Sequence, residues 1–324
     1  MWWKILESAT SSPRPWQSLM NNHTARNIFL GLPRPAWWII GATLLLAVAV
    51  IFWVSGERGH PGREGEVRVS IPPGASAWQI GRILQREGLV RSPRRFVWHL
   101  RWRNLTGRLR SGTYDLPRAA SMAELANLLV SGREALALVT IPEGWTSRQI
   151  AGLLQREQVC DSAAFLLGVE DTSLAVKLGL GAGSLEGFLF PDTYALRYHQ
   201  SPREVAEVMV RNFFQRVGEE WVSRARRDPL GLRGVVNLAS IVQGELRLAE
   251  EAPEIAAVYR NRLKRGWKLQ ADPTIQYIIP DGPRRLLLRD LQIDSPYNTY
   301  RYRGLPPGAI NNPGLDALRA ALHP

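Results

Sequence analysis

An uncharged apolar run near the N-terminus constrains this chain more than any other feature. Residues 36–54 read AWWIIGATLLLAVAVIFWV, a run of 19 positions without a charged side chain. At about 1.5 Å per helical residue the run spans about 28 Å, close to the thickness of a bilayer core. Tryptophans stand near both ends, where indole rings favour the membrane surface. We therefore predict a transmembrane helix over 36–54.

The charges that precede this run predict its orientation. Residues 1–35 carry four basic side chains against one acid: Lys4, Arg14, Arg26 and Arg34 against Glu7. The positive-inside rule then keeps 1–35 in the cytoplasm, and everything beyond the span lies outside the inner membrane of a bacterium. A secretory signal or a buried core helix would be the alternatives. A signal has a shorter apolar stretch and a small-residue cleavage site, which VSGERGH does not clearly offer.

Length and composition predict two folded domains held together by packing alone. The chain has 324 residues, of which 45% are hydrophobic, enough for one large core and a smaller one. Its single cysteine, Cys160, cannot form an internal disulfide.

The formal net charge of +12 is mostly arginine. The basic, aromatic stretch 91–110 resembles a nucleic-acid-binding segment in composition. However, Phe96, Val97 and Leu100 have helical spacing, which fits a core-facing stripe with the arginines in solvent, near anionic lipid or an acidic envelope polymer. Because the predicted topology also keeps this stretch away from nucleic acid, we predict no nucleic-acid partner.

An internal repeat follows a polar linker at 55–66. Residues 71–90 and 141–160 share nine of twenty positions, including Ile-Pro-x-Gly and Leu-Gln-Arg-Glu. In both copies a short β run meets a Pro/Gly turn, and Ser or Thr precedes an amphipathic helix. The sequence therefore predicts one supersecondary unit used twice. In the first copy we expect strand, helix, helix and strand in that order.

The remainder mixes helices, short strands and loops, so we predict an α+β fold. Ser121 and Glu124 form a capping-box pattern for a helix that ends at Ser131-Gly132. Residues 202–222 and 238–263 have helical patterns, and the chain beyond Leu269 is dense in Pro, Gly, Asn and Tyr. Loops on a rigid scaffold are where functional residues concentrate.

One carboxyl in the helical region 238–263 is placed unusually. On a helical wheel Glu245 lies about 20° from Leu238, at the margin of the apolar stripe. Desolvation there would raise its pKa and keep it protonated, the state that a general acid needs. The alternative is a helix-end glutamate paired with Arg247, Arg260 or Arg262.

Other chemistries have little support in the sequence. The five histidines lack metal-ligand spacing, and with one cysteine a zinc site is not expected. Glycine-rich phosphate loops and the G-x-S-x-G serine motif are missing as well. We therefore expect neither a metal nor a cofactor. The type of chemistry that remains is acid/base catalysis on a polymer.

Several strings resemble the YceG-like family of membrane-anchored endolytic murein transglycosylases. They occur in the family's order: EGFLFPDTY (186–194), LASIVQGE (238–245), VYRNRLKRGWKLQADPTIQY (258–277), SPYNTYRYRGLPPGAINNPG (295–314) and ALRAALHP (317–324). The resemblance implies an inner-membrane anchor, a small LysM-like module at 67–134 and a catalytic domain at 135–324.

The resemblance also implies a reaction. These enzymes cleave the β-1,4 bond between N-acetylmuramic acid and N-acetylglucosamine in nascent glycan strands, leaving 1,6-anhydro ends. The catalytic glutamate of the family's A-S-I-[VI]-x-x-E string falls on Glu245. Peptidoglycan strands are then the substrate, and peptidoglycan synthases are the expected protein partners.

Further site residues follow from the same strings. Loops that match the family imply sugar-binding roles for five side chains: Gln270, Asp272, Tyr297, Asn298 and Tyr300. Glu186 and Asp192 are expected to help line the cleft. Asp272-Pro273 and Asn298-Thr299 are also common turn formers, so loop architecture is the alternative.

The sequence departs from the family pattern at two places. Gln243 stands where members frequently carry another glutamate. The family also continues beyond Ala-x-His-Pro with a strand and a G-x-H-x-F-type motif, whereas this sequence stops at Pro324, a C-terminal truncation relative to the family. The alternative function is therefore a catalytically impaired peptidoglycan-binding protein. A pyridoxal-phosphate enzyme would need a Schiff-base lysine from Lys177, Lys264 or Lys268, which we do not favour.

Overall fold

The structure is a computed structural model that describes residues 38–48, 64–279 and 284–323. Residues 38–48 form a helix, α1, whose side chains are exposed. The remaining positions of the predicted span 36–54, residues 1–35 and most of the linker 55–66 lie outside the described residues. Within the described ranges no helix combines the length and the apolar composition that crossing a membrane requires.

The first folded unit begins with a strand and packs helices on it. Its elements are β1 (Glu66–Ile71), α2 (Ala77–Arg86), α3 (Pro93–Trp102), β2 (Gly112–Pro117) and α4 (Met122–Ser131). β1 and β2 pair antiparallel, with Val69 opposite Tyr114. The predicted order of strand, two helices and strand is confirmed.

The second unit repeats this plan with one additional helix. Its elements are β3 (Leu136–Thr140), α5 (Ser147–Arg156), α6 (Ser162–Val169), α7 (Thr172–Lys177) and β4 (Thr193–Arg197). β3 and β4 again pair antiparallel, with Val139 opposite Tyr194. The predicted duplication of one supersecondary unit is confirmed.

Corresponding residues of the two units make the same interactions. Buried Ile80 and Leu84 of α2 match buried Ile150 and Leu154 of α5. Both helices begin with a complete capping box, in which the N-cap hydroxyl and the glutamine three residues later satisfy each other's backbone N–H groups. The predicted capping box at Ser121 and the left-handed C-cap at Gly132 are present on α4.

Helices make up most of the rest of the chain. They are α8 (Pro202–Arg227), α9 (Gly231–Glu245), α10 (Ala252–Lys264), α11 (Asp272–Ile278) and α12 (Leu315–Leu322). Gly218 interrupts α8 with φ 80° and ψ 160°, which is not helical backbone. Short 3-10 turns occur at Ala249–Glu251 and Asp290–Gln292.

Two hydrophobic clusters hold these elements together. The smaller cluster contains buried residues between Val69 and Leu129, from the first unit. The larger one runs from Ala137 to Leu322 and joins the second unit to the helical remainder. α9 is the central element of the larger cluster, since nine of its residues are buried and α8, α10, α11 and α12 all contact it. The architecture is α+β, rich in helices with two small sheets, as predicted.

Candidate active site

The central helix α9 carries Glu245 at its last position. Leu238, Ile241 and Val242 of the same helix are buried, whereas Glu245 is partly exposed. The side chain therefore stands at the margin of the apolar stripe, where the helical wheel places it. A carboxyl in this position is fixed by a rigid helix and still reaches solvent.

Tyr259 holds one oxygen of this carboxyl. Its hydroxyl donates to Glu245 Oε1 at 2.9 Å. Tyr259 lies on the buried face of α10 with Ala252 and Ala256. Burial, reinforced by the negative charge of Glu245, raises the pKa of Tyr259 well above its ordinary value. The hydroxyl therefore stays protonated near neutral pH and acts as a permanent donor.

A second phenol and carboxyl lie beside the first pair. The Tyr300 hydroxyl donates to Asp272 Oδ1 at 2.5 Å. Burial, the hydrogen bond to Asp272 and the negative charge of Glu245 raise the pKa of Tyr300 to about 12. Since Glu245 acts electrostatically on both tyrosines, the four side chains form one cluster, which we call the acid cluster: Glu245, Tyr259, Asp272 and Tyr300.

A glycine allows the two helices of this cluster to approach each other. A Cβ atom added at Gly244 would lie 2.5 Å from Pro273 Cβ, far inside van der Waals contact. Only glycine therefore lets the end of α9 meet the start of α11. This contact places Glu245 beside the helix that begins with Asp272.

The loop before Tyr300 is ordered from within. Asn298 is fully buried, and its Nδ2 group donates to the carbonyls of Leu291 and Ile293 at 3.0 and 2.7 Å. Its Oδ1 atom accepts the backbone N–H of Tyr300 at 2.9 Å. The amide of Asn298 is therefore committed to the loop and positions Tyr300.

The same loop is joined to the residues just before α11. Buried Thr299 accepts the backbone N–H of Ala271 at 3.0 Å and lies 2.8 Å from the Thr274 hydroxyl. Gln270 donates its backbone N–H to the Thr299 carbonyl at 3.1 Å, with a left-handed φ of 54°. Gln270 is exposed and precedes Asp272 by two positions in the sequence.

Two of the predicted residues, Tyr297 and Glu186, line a neighbouring cavity of about 440 Å³. The ring of Tyr297 lies 5.0 Å from that of Tyr277, centroid to centroid, at an angle of 43°. Both rings are cavity walls. The volume lies within the range of small-molecule sites, so we treat this cavity as part of the candidate site.

The carboxyl of Glu186 is nearly buried and has three donors. It accepts the Ser147 N–H at 2.9 Å, the Ser147 hydroxyl at 2.5 Å and the Asn312 Nδ2 group at 2.7 Å. Burial outweighs these hydrogen bonds and raises the pKa of Glu186 to about 7. Glu186 therefore links α5 to the cavity wall and binds a proton in the physiological pH range.

Asn312 joins three separate segments behind the cavity. Its Oδ1 atom accepts the backbone N–H groups of Gly187 and Leu189, both at 2.9 Å. Its Nδ2 group donates to the Trp145 carbonyl and to Glu186. We call this arrangement the Asn312 clamp, because one buried side chain fixes the relative positions of three segments.

Asp192, predicted to help line the cleft, lies elsewhere. Its Oδ1 atom accepts the Thr193 N–H at 2.8 Å, and its Oδ2 atom pairs with Asn212 at 3.0 Å and Arg216 at 3.1 Å. These contacts attach β4 to α8, and Asp192 is not among the residues that line the cavity. The structure thus brings Glu245, Asp272 and Tyr300 together and leaves Asp192 outside both regions.

Two of the three arginines considered as partners for Glu245, Arg260 and Arg262, have other contacts. Arg260 pairs with Asp228 at 2.9 Å and donates to the Ala321 carbonyl at 2.7 Å. Arg262 donates to the carbonyl of Leu269. Gln243, the departure from the family string, accepts the Gly314 N–H at 2.8 Å and so ties α9 to the start of α12.

Sequence reasoning missed Tyr259, Tyr277 and Asn312. Spacing offered a signal for Tyr259, since positions 252, 256 and 259 fall on one helical face. The other two depend on contacts between segments that are distant in the chain, for which the sequence pattern carries no signal.

The arrangement is suited to proton transfer. Within the described ranges, no group of three or more His, Cys, Asp or Glu side chains is placed to hold a metal ion. Within the acid cluster, Glu245 is a partly exposed carboxyl held by a fixed phenol donor, Tyr259, and these are components of general acid/base catalysis.

Comparisons with known proteins agree on one protein family. The model of the YceG-like family matches residues 69–324. The endolytic murein transglycosylase of Bacillus subtilis (strain 168) is 29% identical over 274 residues, covering 80% of this chain and 76% of that protein. The endolytic murein transglycosylase of Streptococcus pneumoniae serotype 2 is 31% identical over 288 residues, covering 79% of this chain but 52% of that protein. A crystal structure of a YceG-like protein from Listeria monocytogenes aligns with a TM-score of 0.54 at 27% identity, covering 80% of this chain and 90% of that one.

Proposed function

The chain belongs to the YceG-like family, and on that premise we propose that it is an endolytic lytic transglycosylase acting on peptidoglycan. The relatives named endolytic murein transglycosylase support this assignment. The observation that carries it is the position of Glu245, a partly exposed carboxyl at the end of a buried helix with one oxygen held by Tyr259.

Glu245 acts first as the general acid in the proposed reaction. Because Tyr259 donates to Oε1, Oε2 is the oxygen that remains to carry the proton. That proton passes to the glycosidic oxygen between N-acetylmuramic acid and N-acetylglucosamine while positive charge develops at C1. The C–O bond to the leaving sugar then breaks.

Glu245 acts next as the base. The C6 hydroxyl of the muramic acid attacks C1, its proton passes to Glu245, and a 1,6-anhydro ring closes. Because the attacking group belongs to the substrate, proximity makes this step competitive with attack by water. No second catalytic carboxylate is needed, unlike in two-acid glycosidases. The Tyr259 hydroxyl stabilises the carboxylate between the two proton transfers.

The remaining predicted residues differ in how directly they contact the substrate in this proposal. Asp272 and Tyr300 of the acid cluster supply hydrogen bonds to the sugars beside the scissile bond, and Gln270, two residues before Asp272, does the same. Tyr297 and Glu186 bind substrate from the wall of the cavity. Asn298 contributes indirectly, because it positions Tyr300. Asp192 supports β4 and α8 and takes no part in substrate binding.

The proposal includes a location and partners. A membrane anchor over 36–54 with the N-terminus inside would hold residues 67–134, as a LysM-like module, and the catalytic region 135–324 in the periplasm. Peptidoglycan synthases would be the protein partners, since the enzyme would terminate strands that they extend. Crosslinking in growing cells followed by recovery of a synthase tests this part.

The decisive experiment compares the full chain with Glu245→Gln on purified glycan strands. We expect 1,6-anhydro-muropeptides from the parent protein and at least a thousandfold fewer from the variant, since about 4 kcal/mol of transition-state stabilisation would be lost. Equal product from both proteins, or none from the parent under conditions where it binds glycan, would favour the binding-protein alternative.

A further inference from the structure

The first folded unit carries two exposed tryptophans on α3. Trp98 and Trp102 are 53% and 67% exposed and lie one helical turn apart. Phe96 and Leu100 of the same helix are buried in the smaller hydrophobic cluster, on the opposite side of the helix. The tryptophans therefore do not contribute to the core. An exposed apolar patch of this kind marks a site of interaction.

Arginines dominate the charge of the same segment. Residues 91–110 contain no acidic residue, and on a helical wheel Arg94, Arg95 and Arg101 lie within about 60° of one or the other tryptophan. The segment has seven arginines, all of them exposed: Arg91, Arg94, Arg95, Arg101, Arg103, Arg108 and Arg110. The outward face of α3 thus combines indole rings with positive charge.

The second unit shows that this face is not required by the fold. α6 packs on α5 as α3 packs on α2. Phe165 and Val169 of α6 are buried and lie four residues apart, as Phe96 and Leu100 of α3 do. However, α6 reads SAAFLLGV and contains neither tryptophan nor arginine. The indole rings and guanidinium groups of α3 are therefore additions to a shared plan, which indicates a role other than folding.

A bilayer surface with anionic headgroups matches this face best. Indole rings favour the interface between membrane and water, and arginines near that interface bind lipid phosphates. A soluble acidic polymer would use the arginines but would leave the indole rings in water. A sugar would be expected in a concave site. The cavity of this unit, about 560 Å³, is lined by residues between Pro117 and Arg133, without either tryptophan.

The predicted membrane span lies close to this unit along the chain. Eleven residues, 55–65, separate the predicted span from β1, which begins at Glu66. Even fully extended they cover at most about 40 Å. A short tether gives an effective concentration on the order of mM, so a surface that binds lipid weakly would still dock.

We propose that the outward face of α3 is a second membrane contact, in which Trp98 and Trp102 enter the bilayer interface and the arginines around them bind anionic lipid headgroups. This inference rests on the proposed membrane anchor for its proximity to the bilayer, and it concerns a surface that the proposed reaction does not use. Docking through α3 fixes the orientation of the first unit on the membrane, which a linker alone would leave free.

Fluorescence quenching of the full chain tests the proposal. The protein is reconstituted in nanodiscs of equal parts phosphatidylglycerol and phosphatidylcholine, with plain or brominated acyl chains. Subtracting the emission of Trp98→Phe/Trp102→Phe from that of the parent isolates these two indole rings. We expect bromination to quench this emission at least about twofold, since docked side chains lie about 5–10 Å into the boundary between headgroups and acyl chains.

Trp267→Phe is the matched control for this measurement. Trp267 is 55% exposed, and the guanidinium of Arg265 lies 5.1 Å from its ring centroid, but it belongs to the catalytic region. Its emission, isolated by the same subtraction, should be equal in plain and brominated bilayers. Equal emission of Trp98 and Trp102 in the two bilayers would overturn the docking face. If that emission responded to soluble polyphosphate instead, the partner would be an acidic polymer and the membrane assignment would be wrong.

A charge variant tests the headgroup assignment. Arg94→Gln/Arg101→Gln should lower the docking equilibrium more than tenfold, because each arginine near an anionic surface contributes about fivefold. In pure phosphatidylcholine the parent should be quenched as weakly as this variant. Arg156→Gln/Arg211→Gln, which removes two exposed arginines from the second unit and α8, should be quenched like the parent. Equal quenching of all three proteins would overturn the role of anionic lipid.

The anchor and the docking face fail separately. The same subtraction applied to Trp38 and Trp53 reports on the predicted span. If those two are quenched while Trp98 and Trp102 are not, the anchor stands and the docking face is wrong. If only Trp98 and Trp102 are quenched, the docking face stands without the anchor. The assay for anhydro-muropeptides uses soluble glycan strands and tests the reaction independently of both.

Discussion

At the scale of single residues, Tyr259 distinguishes Glu245 from an ordinary helix-end glutamate. Its buried hydroxyl donates to one carboxyl oxygen and leaves the other for substrate. We expect Tyr259→Phe to lower kcat about ten- to a hundredfold, because a hydrogen bond to a charged group is worth about 1.5–3 kcal/mol. Steady-state kinetics on glycan strands measures this effect.

Tyr302→Phe is the matched control for that prediction. It removes the same atom from another phenol–carboxylate pair, the one with Asp294 at 2.6 Å, and kcat should not change. A Tyr259→Phe enzyme that retains full kcat would show that the hydroxyl has no part in the reaction.

The buried carboxyl of Glu186 makes a prediction about pH. Burial raises its pKa from the ordinary value of 4.5 to about 7, so the folded state holds this proton more tightly than the unfolded state does. The resulting stability is fully present below about pH 4.5, declines as the pH rises and is gone above about pH 7. The loss amounts to about 3 kcal/mol.

Urea unfolding at a series of pH values tests this for the parent and Glu186→Gln. The difference between their free energies of unfolding should change by that amount across the window, with the variant gaining relative stability as the pH rises. Parallel curves would mean that Glu186 is ionised throughout.

The sequence predicted the positions of single residues well where local helix geometry determines those positions. The helical wheel placed Glu245 at the edge of the apolar stripe because a wheel needs only helix periodicity. It could not find the partner of Glu245, since Tyr259 meets it through the packing of α10 on α9. Asn298 looked like a sugar ligand from its loop, yet the structure buries it to position Tyr300.

At the scale of elements, the contact between α9 and α11 depends on Gly244. We expect Gly244→Ala to destabilise the protein by about 1–3 kcal/mol, because its Cβ would overlap Pro273 and force the helices apart. Activity should fall together with stability, since the displaced helices carry Glu245 and Asp272. Thermal unfolding and product assays on the same preparations measure both effects.

Gly168→Ala is the control for a helical glycine. An added Cβ there meets nothing within 4 Å, so the substitution should be neutral or stabilise by up to about 1 kcal/mol. Equal effects of the two substitutions would contradict the close approach at Pro273.

The repeated units explain why many elements could be predicted. Strand, Pro/Gly turn, capping box and apolar stripe are local signals, and they agree at 71–90 and 141–160. The pairing of β3 with β4 was harder to predict from the sequence, because three helices separate these strands. Strand pairing over such a distance is decided by the larger core.

At the scale of the whole molecule, the Asn312 clamp fixes segments that are far apart in the chain. Asn312→Ala would leave the buried N–H groups of Gly187 and Leu189 without their acceptor. We expect a loss of about 3 kcal/mol in the free energy of unfolding, measured by urea titration. Asn127→Ala is the control, because Asn127 is exposed on α4, and its effect should stay within about 0.5 kcal/mol. A loss of similar size in both variants would refute the clamp.

The arrangement of the site at this scale could not be derived from the sequence. The strings EGFLFPDTY and SPYNTYRYRGLPPGAINNPG each contribute to the cavity and to its support, yet they are more than 100 residues apart. The side chain of Asn312 connects the two strings, because it accepts the backbone N–H groups of Leu189 and Gly187, which lie 123 and 125 positions earlier in the chain. Such contacts are set by the packing of the complete core.

The short helix α11 couples the acid cluster to the neighbouring cavity. Its seven residues are about two turns, with Asp272 at one end and Tyr277 toward the other. The two side chains are five residues apart, or about 7.5 Å of helix rise. A displacement of either end of so short a helix displaces the other, so a substitution that shifts Tyr277 also disturbs Asp272.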